Sequence, residues 1–255
     1  MRKVAALYIM LTLAVSLAAR ASSNRAADVH RIEDSAEIFQ EIMGTPDRAI
    51  PQDLLDSAQC IAIIPAEIKF AFFVGGNYGK GLVTCRDPKG WSAPVFLTVS
   101  GGSLGFQFGG SSTDLILVFR GRRGLQKLLG NKFKIGADVS AAAGPVGRSA
   151  AAGTDITLHA EILTYSRSRG VFAGISLTGA VVQPDNSGNI AMYGPNPSQE
   201  DILDGKVDIP ADAMVLMQAV SKATRTPLAA NPPPPDDHRH HQALVSCGRK
   251  DRDKV

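Results

Sequence analysis

A serine flanked by glycines is the first residue in this chain whose setting suggests catalysis. The run Gly101-Gly102-Ser103-Leu104-Gly105 fits the G-x-S-x-G pattern of hydrolase nucleophiles, and Asp138 and His159 follow in the chain order of an α/β-hydrolase triad. That chemistry requires a strand before the serine and a helix after it. Residues 105–109 alternate like a strand, and the chain lacks alternating βα units. A serine hydrolase using Ser103 therefore stays an alternative and not the interpretation we adopt.

A second glycine-rich run, residues 75–81, resembles a phosphate-binding loop only superficially. A P-loop needs Ser or Thr directly after its Gly-Lys pair, followed by a helix. Here Lys80 is followed by Gly81 and by the strand-like residues 82–84, so we interpret the run as a hairpin turn. Histidines are sparse, and the sequence contains no Cys-x-x-Cys pair or Cys/His cluster typical of zinc sites. We expect neither a metal nor a cofactor.

The chain has three cysteines, Cys60, Cys85 and Cys247. An oxidising compartment permits a disulfide, and we expect Cys60 to pair with Cys85 because both lie inside the region predicted to fold. The alternative is that both are small buried apolar residues. Cys247 would then be an odd thiol in the C-terminal tail.

The stretch from residue 120 to residue 134 is the strongest candidate binding site. It holds six cations and no acid, namely Arg120, Arg122, Arg123, Lys127, Lys132 and Lys134. Such clusters are attracted to anionic lipid head groups by about 1 kcal/mol for each Lys or Arg near the surface. Arg167 and Arg169 would strengthen this site if the fold brings them to the same face. The alternative is a solvated, partly salt-bridged surface.

Helices are predicted at both ends of the folded region. Residues 28–43 carry apolar side chains at three- to four-residue spacing, which predicts an amphipathic helix. A second, short helix is predicted from Pro51 toward Ala58, because proline is favoured in the first helical turn. Two more are predicted over Ser198–Leu203 and Pro210–Thr224.

The middle of the chain is predicted to be a curled sheet. Short β-branched or aromatic runs alternate with glycine or proline from Cys60 to Phe119, and residues 156–165 and 171–182 flank a polar tip as a hairpin. Glycine also occurs inside these patterns, where it weakens a strand unless the sheet bends sharply. We therefore expect an α+β, β-rich fold in which a strongly curled antiparallel sheet or barrel has helices at its N- and C-terminal ends.

The two ends of the chain are predicted to lie outside the domain. Arg2 and Lys3 precede an apolar run, and Ala19-Arg20-Ala21 offers a small-x-small cleavage pattern, so residues 1–21 are predicted to be a signal peptide. An uncleaved anchor is the alternative. No cysteine follows the apolar run, so we expect no lipoprotein. Residues 22–230 would form one domain, and residues 231–255 a disordered, Pro-rich and charged tail. We expect a periplasmic or secreted protein.

The net charge argues against a nucleic-acid partner. The whole chain carries a formal charge of +3, but the predicted leader contains Arg2, Lys3 and Arg20 and no acid, so its removal brings the charge to zero. A case for nucleic acid based on overall charge therefore fails, and anionic partners must be argued from local clusters.

Many blocks in a fixed order resemble the SYLF family over about residues 60–194. They are Val74-Gly75-Gly76, Tyr78-Gly79-Lys80-Gly81, Trp91-Ser92-Ala93-Pro94, residues 100–109, Thr113-Asp114, Gly144-Pro145-Val146-Gly147-Arg148, residues 165–174 and Tyr193-Gly194. The resemblance implies a lipid-binding domain without catalytic chemistry. Eukaryotic relatives bind phosphoinositides and, in fungi, actin filaments. Secreted bacterial relatives, which this chain resembles, are thought to bind phospholipid at the cell envelope.

The resemblance also suggests roles for individual residues. Asp114 and Arg148 match family blocks, and we predict that they pair inside the domain. We predict structural roles for the small and rigid residues of the blocks, Gly102, Gly105, Gly144 and Pro145. Family members contact membranes through an N-terminal amphipathic segment, whose place residues 28–43 occupy, but acids outnumber basic residues there. The predicted lipid site is therefore the 120–134 stretch.

We interpret the chain as a non-enzymatic protein that binds the surface of an anionic phospholipid membrane and needs no cofactor. The first alternative is a carrier that holds a lipid or another apolar ligand inside the barrel. The second alternative is the serine hydrolase.

Overall fold

A curled sheet with helices before and after it forms the domain. The computed structural model describes residues 25–45, 49–72, 74–87, 90–103, 111–121, 124, 130, 132–147, 159–168 and 171–226. The predicted signal peptide and the predicted tail lie outside these residues.

Five α-helices of at least five described residues lie in the chain. They are α1 (residues 25–43), α2 (Gln52–Asp56), α3 (Asn186–Tyr193), α4 (Gln199–Leu203) and α5 (Met214–Thr224), the last preceded by a 3₁₀ turn over Ala211–Ala213. Each predicted helix has a counterpart here. Helix α3 was not predicted, because its sequence Asn-Ser-Gly-Asn has low helix propensity. It begins where the Asp185 carboxylate accepts a hydrogen bond from the Gly188 N–H.

Ten strands form the sheet in the described part of the chain. They are β1 (Cys60–Phe72), β2 (Val74–Asp87), β3 (Gly90–Trp91), β4 (Val95–Ser103), β5 (Ser111–Phe119), β6 (Phe133–Lys134), β7 (Ala141–Ala143), β8 (Ile162–Ser168), β9 (Val171–Gly174) and β10 (Val181–Pro184). The order is β6-β10-β4-β2-β1-β5-β8-β7, with β3 beside β2 and β9 beside β8. Every pair of named strands is antiparallel except β7 with β8.

The sheet curls into a half-barrel. The rings of Phe119 and Phe133 meet edge to face with their centroids 6.4 Å apart. Their strands, β5 and β6, lie five positions apart in the sheet order, so only strong curvature brings them together. Residues 135–140 then connect the two edge strands, β6 and β7. The predicted fold class, a β-rich curled sheet with helices at both ends, is confirmed.

The glycine run at residues 75–81 is strand and not turn, so the predicted hairpin turn is wrong. These residues lie inside β2 and pair with β1 and β4. A Cβ atom on Gly81 would lie 2.4 Å from the Ile63 carbonyl oxygen and 2.8 Å from the Ile64 Cα. Glycine is therefore required by the close approach of β1, whose register against β2 shifts between Ile63 and Ile68.

Two predicted strand boundaries also differ from the structure. Only short runs were predicted from Cys60 onward, but β1 is one long strand from Cys60 to Phe72. The predicted strand over residues 171–182 is interrupted by a turn, where Gly179 adopts a φ of +94°. This left-handed conformation favours glycine, and it separates β9 from β10.

A disulfide joins Cys60 and Cys85, as predicted. The two residues lie directly opposite each other in β1 and β2, and both are buried. Changing both to alanine should lower the free energy of unfolding by about 3 kcal/mol, because the bond closes a loop with a sequence separation of 25 residues in the unfolded chain. Urea unfolding of the Cys60→Ala/Cys85→Ala variant measures this loss. Cys247→Ala is the control, and a similar loss there would contradict the assignment.

Candidate functional site

The described lysines of the predicted basic stretch are exposed to solvent. Lys132 and Lys134 are both exposed, whereas Phe133 between them is buried. Phe133 and Lys134 form β6, and successive residues of a strand face opposite sides. Arg120 follows β5 and is half-buried, and its backbone N–H donates to the Glu161 carbonyl oxygen at 2.8 Å. Arg122, Arg123 and Lys127 lie outside the described residues.

Arg120, Lys132 and Lys134 lie in one region, which we call the basic edge. The contact between the rings of Phe119 and Phe133 brings their chain neighbours together. Two acids lie in the same region. The Asp138 carboxylate accepts a hydrogen bond from the Lys134 backbone N–H at 2.7 Å, and the Glu161 carboxylate accepts from Ser140. The described part of the basic edge thus holds three cations and two acids.

Arg167 does not join the basic edge. It lies opposite Asp114, five residues along the β5–β8 pair from the point where Phe119 faces Ile162, a distance of about 17 Å along the strands. Its Nε donates to the Asp114 carboxylate at 2.8 Å, and its guanidinium also contacts Glu41 of α1. Only 23% of its side chain is exposed. Arg167 therefore ties the C-terminal part of α1 to the sheet.

The residues predicted to be structural are only partly described. The described partner of Asp114 is Arg167, and Arg148, like Gly105 and Arg169, lies outside the described residues. Gly102 faces Gly76 of β2. A Cβ on Gly144 would lie 2.0 Å from the Tyr165 ring, so this ring packs directly on the glycine backbone. Pro145 follows Gly144 and is half-buried.

Sequence reasoning did not find the ion cluster beneath the N-terminal half of α1. Arg31 donates to the Asp28 carboxylate at 2.8 Å, and Lys80 of β2 donates to the Asp185 carboxylate at 2.7 Å. Arg31 also lies 4.0 Å from Asp185 and stacks over the Phe96 ring, 5.7 Å from its centroid. The spacing of Asp28 and Arg31 in one helix was a readable signal, but their link to β2 and α3 was not. This cluster anchors α1 to the sheet.

The two acids of the ion cluster have opposite pKa shifts. Burial raises the pKa of Asp28, and the attraction of Arg31 only partly offsets this. Burial alone would also raise the pKa of Asp185, but hydrogen bonds from Lys80, Ser187 and Gly188 hold it below its usual value. Asp185 is therefore the acid that stabilises the folded state in its ionised form.

The apolar face of α1 is buried against the core of the domain. Its residues Ile32, Ala36, Phe39 and Ile42 are all buried in the core. A helix whose apolar face packs on a sheet does not present that face to a bilayer. Membrane contact through this face would require α1 to leave the sheet.

The three residues of the predicted triad lie in separate parts of the domain. Ser103 ends β4 and lies opposite Gly75, and residues 104–110 lie outside the described part. His159 is exposed. The Asp138 carboxylate accepts a hydrogen bond from the Lys134 backbone N–H, in the turn that follows β6. Among the residues that the structure describes, no group of His, Cys, Asp and Glu is placed to hold a metal ion. None of the described helices has the length and apolar character that spanning a bilayer requires.

Comparisons with known proteins match this chain to one family model and to several related proteins. Residues 100–223 match the family model Ysc84, described as "Las17-binding protein actin regulator". The SH3 domain-containing YSC84-like protein 1 of Bos taurus is 31% identical over 206 residues, which cover 79% of this chain and 60% of that protein. Its Xenopus laevis counterpart is 32% identical over 182 residues, covering 70% and 54%. Protein YSC84 of Saccharomyces cerevisiae is 31% identical over 176 residues, covering 68% and 37%.

The domain is a mixed α/β domain whose curled sheet forms a half-barrel. The chain belongs to the Ysc84 family, which is the SYLF family indicated by the ordered sequence blocks. That prediction is confirmed. The chain spans about 60% of the length of the mammalian relatives that it matches.

Proposed function

We propose that this chain binds anionic phospholipid at a membrane surface through the basic edge, without catalysing a reaction. The observation that carries the proposal is the exposure of Lys132 and Lys134 on either side of a buried Phe133. Because the Phe133 ring is buried in the core, its neighbours Lys132 and Lys134 are fixed at the surface of the domain. Three further cations, Arg122, Arg123 and Lys127, belong to the same stretch of sequence and add to its charge.

Electrostatics favours a lipid surface as the partner of such a site. Each Lys or Arg near an anionic bilayer contributes about 1 kcal/mol, and several acting together give useful affinity without a shaped pocket. The matching vertebrate relatives are named SH3 domain-containing YSC84-like proteins and not enzymes, which supports a binding role. We place the mature protein in the periplasm or outside the cell, after cleavage near Ala21, because the N-terminal sequence has the pattern of a signal peptide.

Changing Lys132 and Lys134 together to alanine should lower the partition coefficient onto anionic vesicles about 30-fold, since two lysines contribute about 2 kcal/mol. Co-sedimentation with phosphatidylglycerol-containing and pure phosphatidylcholine vesicles measures this. The protein used is the chain from Ser22, which contains every described residue. Binding to anionic vesicles should weaken strongly at 0.5 M salt, because screening shortens the reach of the charges.

The matched control is Lys206→Ala/Lys222→Ala, which removes the same charge from two exposed lysines of the C-terminal region. It should bind vesicles nearly as well as the unmodified chain. If both double variants lose affinity equally, the effect comes from overall charge and the basic edge is the wrong site. If the unmodified chain ignores every vesicle, the lipid-surface proposal fails.

Binding to a protein partner is the second candidate. The family model is described as a Las17-binding protein and actin regulator, and that description supports testing a protein partner. Co-sedimentation with filamentous actin under the same salt conditions separates the two functions. Binding to filaments in the absence of binding to vesicles would favour the protein partner.

A carrier role has less support from the contacts. A ligand inside the half-barrel would lie on its concave face, where Phe119 and Phe133 contact each other and Leu97 and Val182 are buried. Organic extraction of the purified chain, followed by mass spectrometry, tests for a ligand that copurifies.

A further inference from the structure

We infer that the Cys60–Cys85 disulfide reacts with external thiols and disulfides only when the domain unfolds, so that the oxidation state of this pair is fixed when the chain folds. A later change of compartment then leaves the pair as it was. The inference is independent of the lipid proposal, because it uses none of the cations of the basic edge.

Both cysteines are shielded from solvent. Cys60 is 0% exposed and Cys85 is 1% exposed, and both belong to the hydrophobic core. Thiol–disulfide exchange requires a thiolate to approach one of the two sulfur atoms directly. Burial of this degree prevents that approach while the surrounding strands remain paired.

The disulfide lies between central strands of the sheet. Cys60 of β1 faces Cys85 of β2 on one side and Phe119 of β5 on the other, and β2 is itself covered by β4. The Cys85 backbone N–H donates to the Ser92 hydroxyl at 3.2 Å, and the Cys85 carbonyl accepts from the Ser92 N–H at 2.9 Å. Fraying of an edge strand therefore does not expose the bond.

Arg86, the residue after Cys85, closes this end of the sheet. Its Nε donates to the Ala58 carbonyl oxygen at 2.8 Å and its Nη2 to the Leu55 carbonyl oxygen at 3.0 Å, which joins β2 to α2. Its guanidinium also donates to Thr226, just after α5, and stacks over the Trp91 ring, 4.9 Å from its centroid. Opening the sheet beside the disulfide requires all these contacts to break together.

Reduction of the pair transfers two electrons and needs direct access to sulfur twice. A thiolate of dithiothreitol attacks one sulfur, the Sγ–Sγ bond breaks, and the departing cysteine leaves with the electron pair. The second dithiothreitol thiolate then displaces the other cysteine and closes the reductant into a cyclic disulfide. The two thiol protons of dithiothreitol end on Cys60 and Cys85. Oxidation by glutathione disulfide reverses this exchange and releases two molecules of glutathione.

The order of folding and oxidation then decides the covalent state of the domain. A chain that meets a disulfide oxidant before it folds acquires the bond and keeps it. A chain that folds first in a reducing compartment keeps two buried thiols after it leaves that compartment. Export before folding, which agrees with the predicted signal peptide, places oxidation first.

The test measures how fast dithiothreitol reduces the chain from Ser22, with Cys247→Ala so that only this pair exchanges electrons. Acid quenching, removal of the reductant and labelling with maleimide–polyethylene glycol in denaturant count the free thiols on a gel. We expect the folded chain to be reduced at least about 1,000-fold more slowly than the same chain in concentrated urea, because only a small fraction of a stable domain is unfolded at any time.

Two further measurements connect the reduction rate to unfolding. Below the unfolding transition, the rate should rise with urea as steeply as the unfolded fraction does. Asp185→Asn removes a carboxylate that pairs with Lys80 and Arg31, and it should raise the rate by the same factor as it raises the unfolded fraction. Asp212→Asn, in an exposed pair with Arg25, is the control and should leave the rate nearly unchanged. Gly179→Ala replaces Asp185→Asn if that variant fails to fold.

The reverse experiment starts from the chain folded in the reduced state. Glutathione disulfide should leave the folded dithiol reduced and should oxidise it once urea unfolds the domain. The inference is overturned if the folded chain is reduced within about tenfold of the rate of the unfolded chain. It is also overturned if neither urea nor Asp185→Asn changes the rate, because the bond would then be reached through a local opening. If the reduced chain does not fold, the reduction rates alone decide.

Discussion

Replacing Gly81 by alanine should lower the free energy of unfolding by about 4 kcal/mol or more, which is a large part of the roughly 5–15 kcal/mol that stabilises a typical domain. The new Cβ would lie 2.4 Å from the Ile63 carbonyl oxygen and 2.8 Å from the Ile64 Cα. These are backbone atoms of a neighbouring strand and cannot rotate away, so β1 and β2 must separate to accept the methyl group. Urea unfolding followed by far-ultraviolet circular dichroism measures the loss.

Gly179→Ala is the control for this prediction. Gly179 has a φ of +94°, but no atom lies within 4 Å of the position that its Cβ would occupy. Gly179→Ala should therefore lower the free energy of unfolding by only about 1 kcal/mol, the cost of the unfavourable backbone conformation. If Gly81→Ala proves as mild as Gly179→Ala, β1 approaches β2 less closely than these distances indicate.

Replacing Asp185 by asparagine should lower the free energy of unfolding by about 3 kcal/mol at neutral pH. The amide keeps the shape of the side chain but removes the negative charge that Lys80 and Arg31 share. Lys80 and Arg31 would then have only Asp28 of this cluster to balance them. Thermal and urea unfolding at pH 7 measure this loss.

The pH dependence of the Asp185→Asn effect identifies its cause. Because the pKa of Asp185 in the folded state is below its unfolded value of 3.8, ionised Asp185 stabilises the fold above about pH 4. This contribution is lost as the pH falls through the folded pKa. The stability difference between the unmodified chain and the variant should therefore be large at pH 7 and shrink below pH 4.

Asp212→Asn is the matched control, because it removes a carboxylate from an exposed pair with Arg25. Surface pairs contribute about 1 kcal/mol or less, so this variant should be nearly as stable as the unmodified chain. A stability difference for Asp185→Asn that stays constant down to pH 2 would show that shape and not charge explains the loss.

Local sequence patterns predicted much of this fold. The spacing of Ile32, Ala36 and Phe39 predicted α1, and all three are buried. The half-barrel followed from glycines within strand patterns, because curvature is the common reason for glycine there. The same reasoning went wrong at residues 75–81, where glycine was interpreted as a turn. A close approach between backbones depends on the neighbouring strand, and the local sequence does not contain that information.

The candidate sites were harder to predict than the fold. The basic edge was visible as a run of cations, but the separation of Arg167 from it depends on strand pairing, since its partner Asp114 lies 53 residues away. The ion cluster joins Lys80 to Asp185 across 105 residues. Sites assembled from distant segments require the topology before their residues can be recognised.

The edges of the sheet also bear on how this chain behaves at high concentration. The two edge strands of the described sheet order, β6 and β7, are only two and three residues long. An exposed long edge strand is a template on which another copy can add its own strand and begin a fibril. Edges this short, one of them carrying the outward Lys134, offer few backbone groups for such growth. The sheet is not closed into a full barrel, but its short edge strands should still disfavour the addition of strands from other copies.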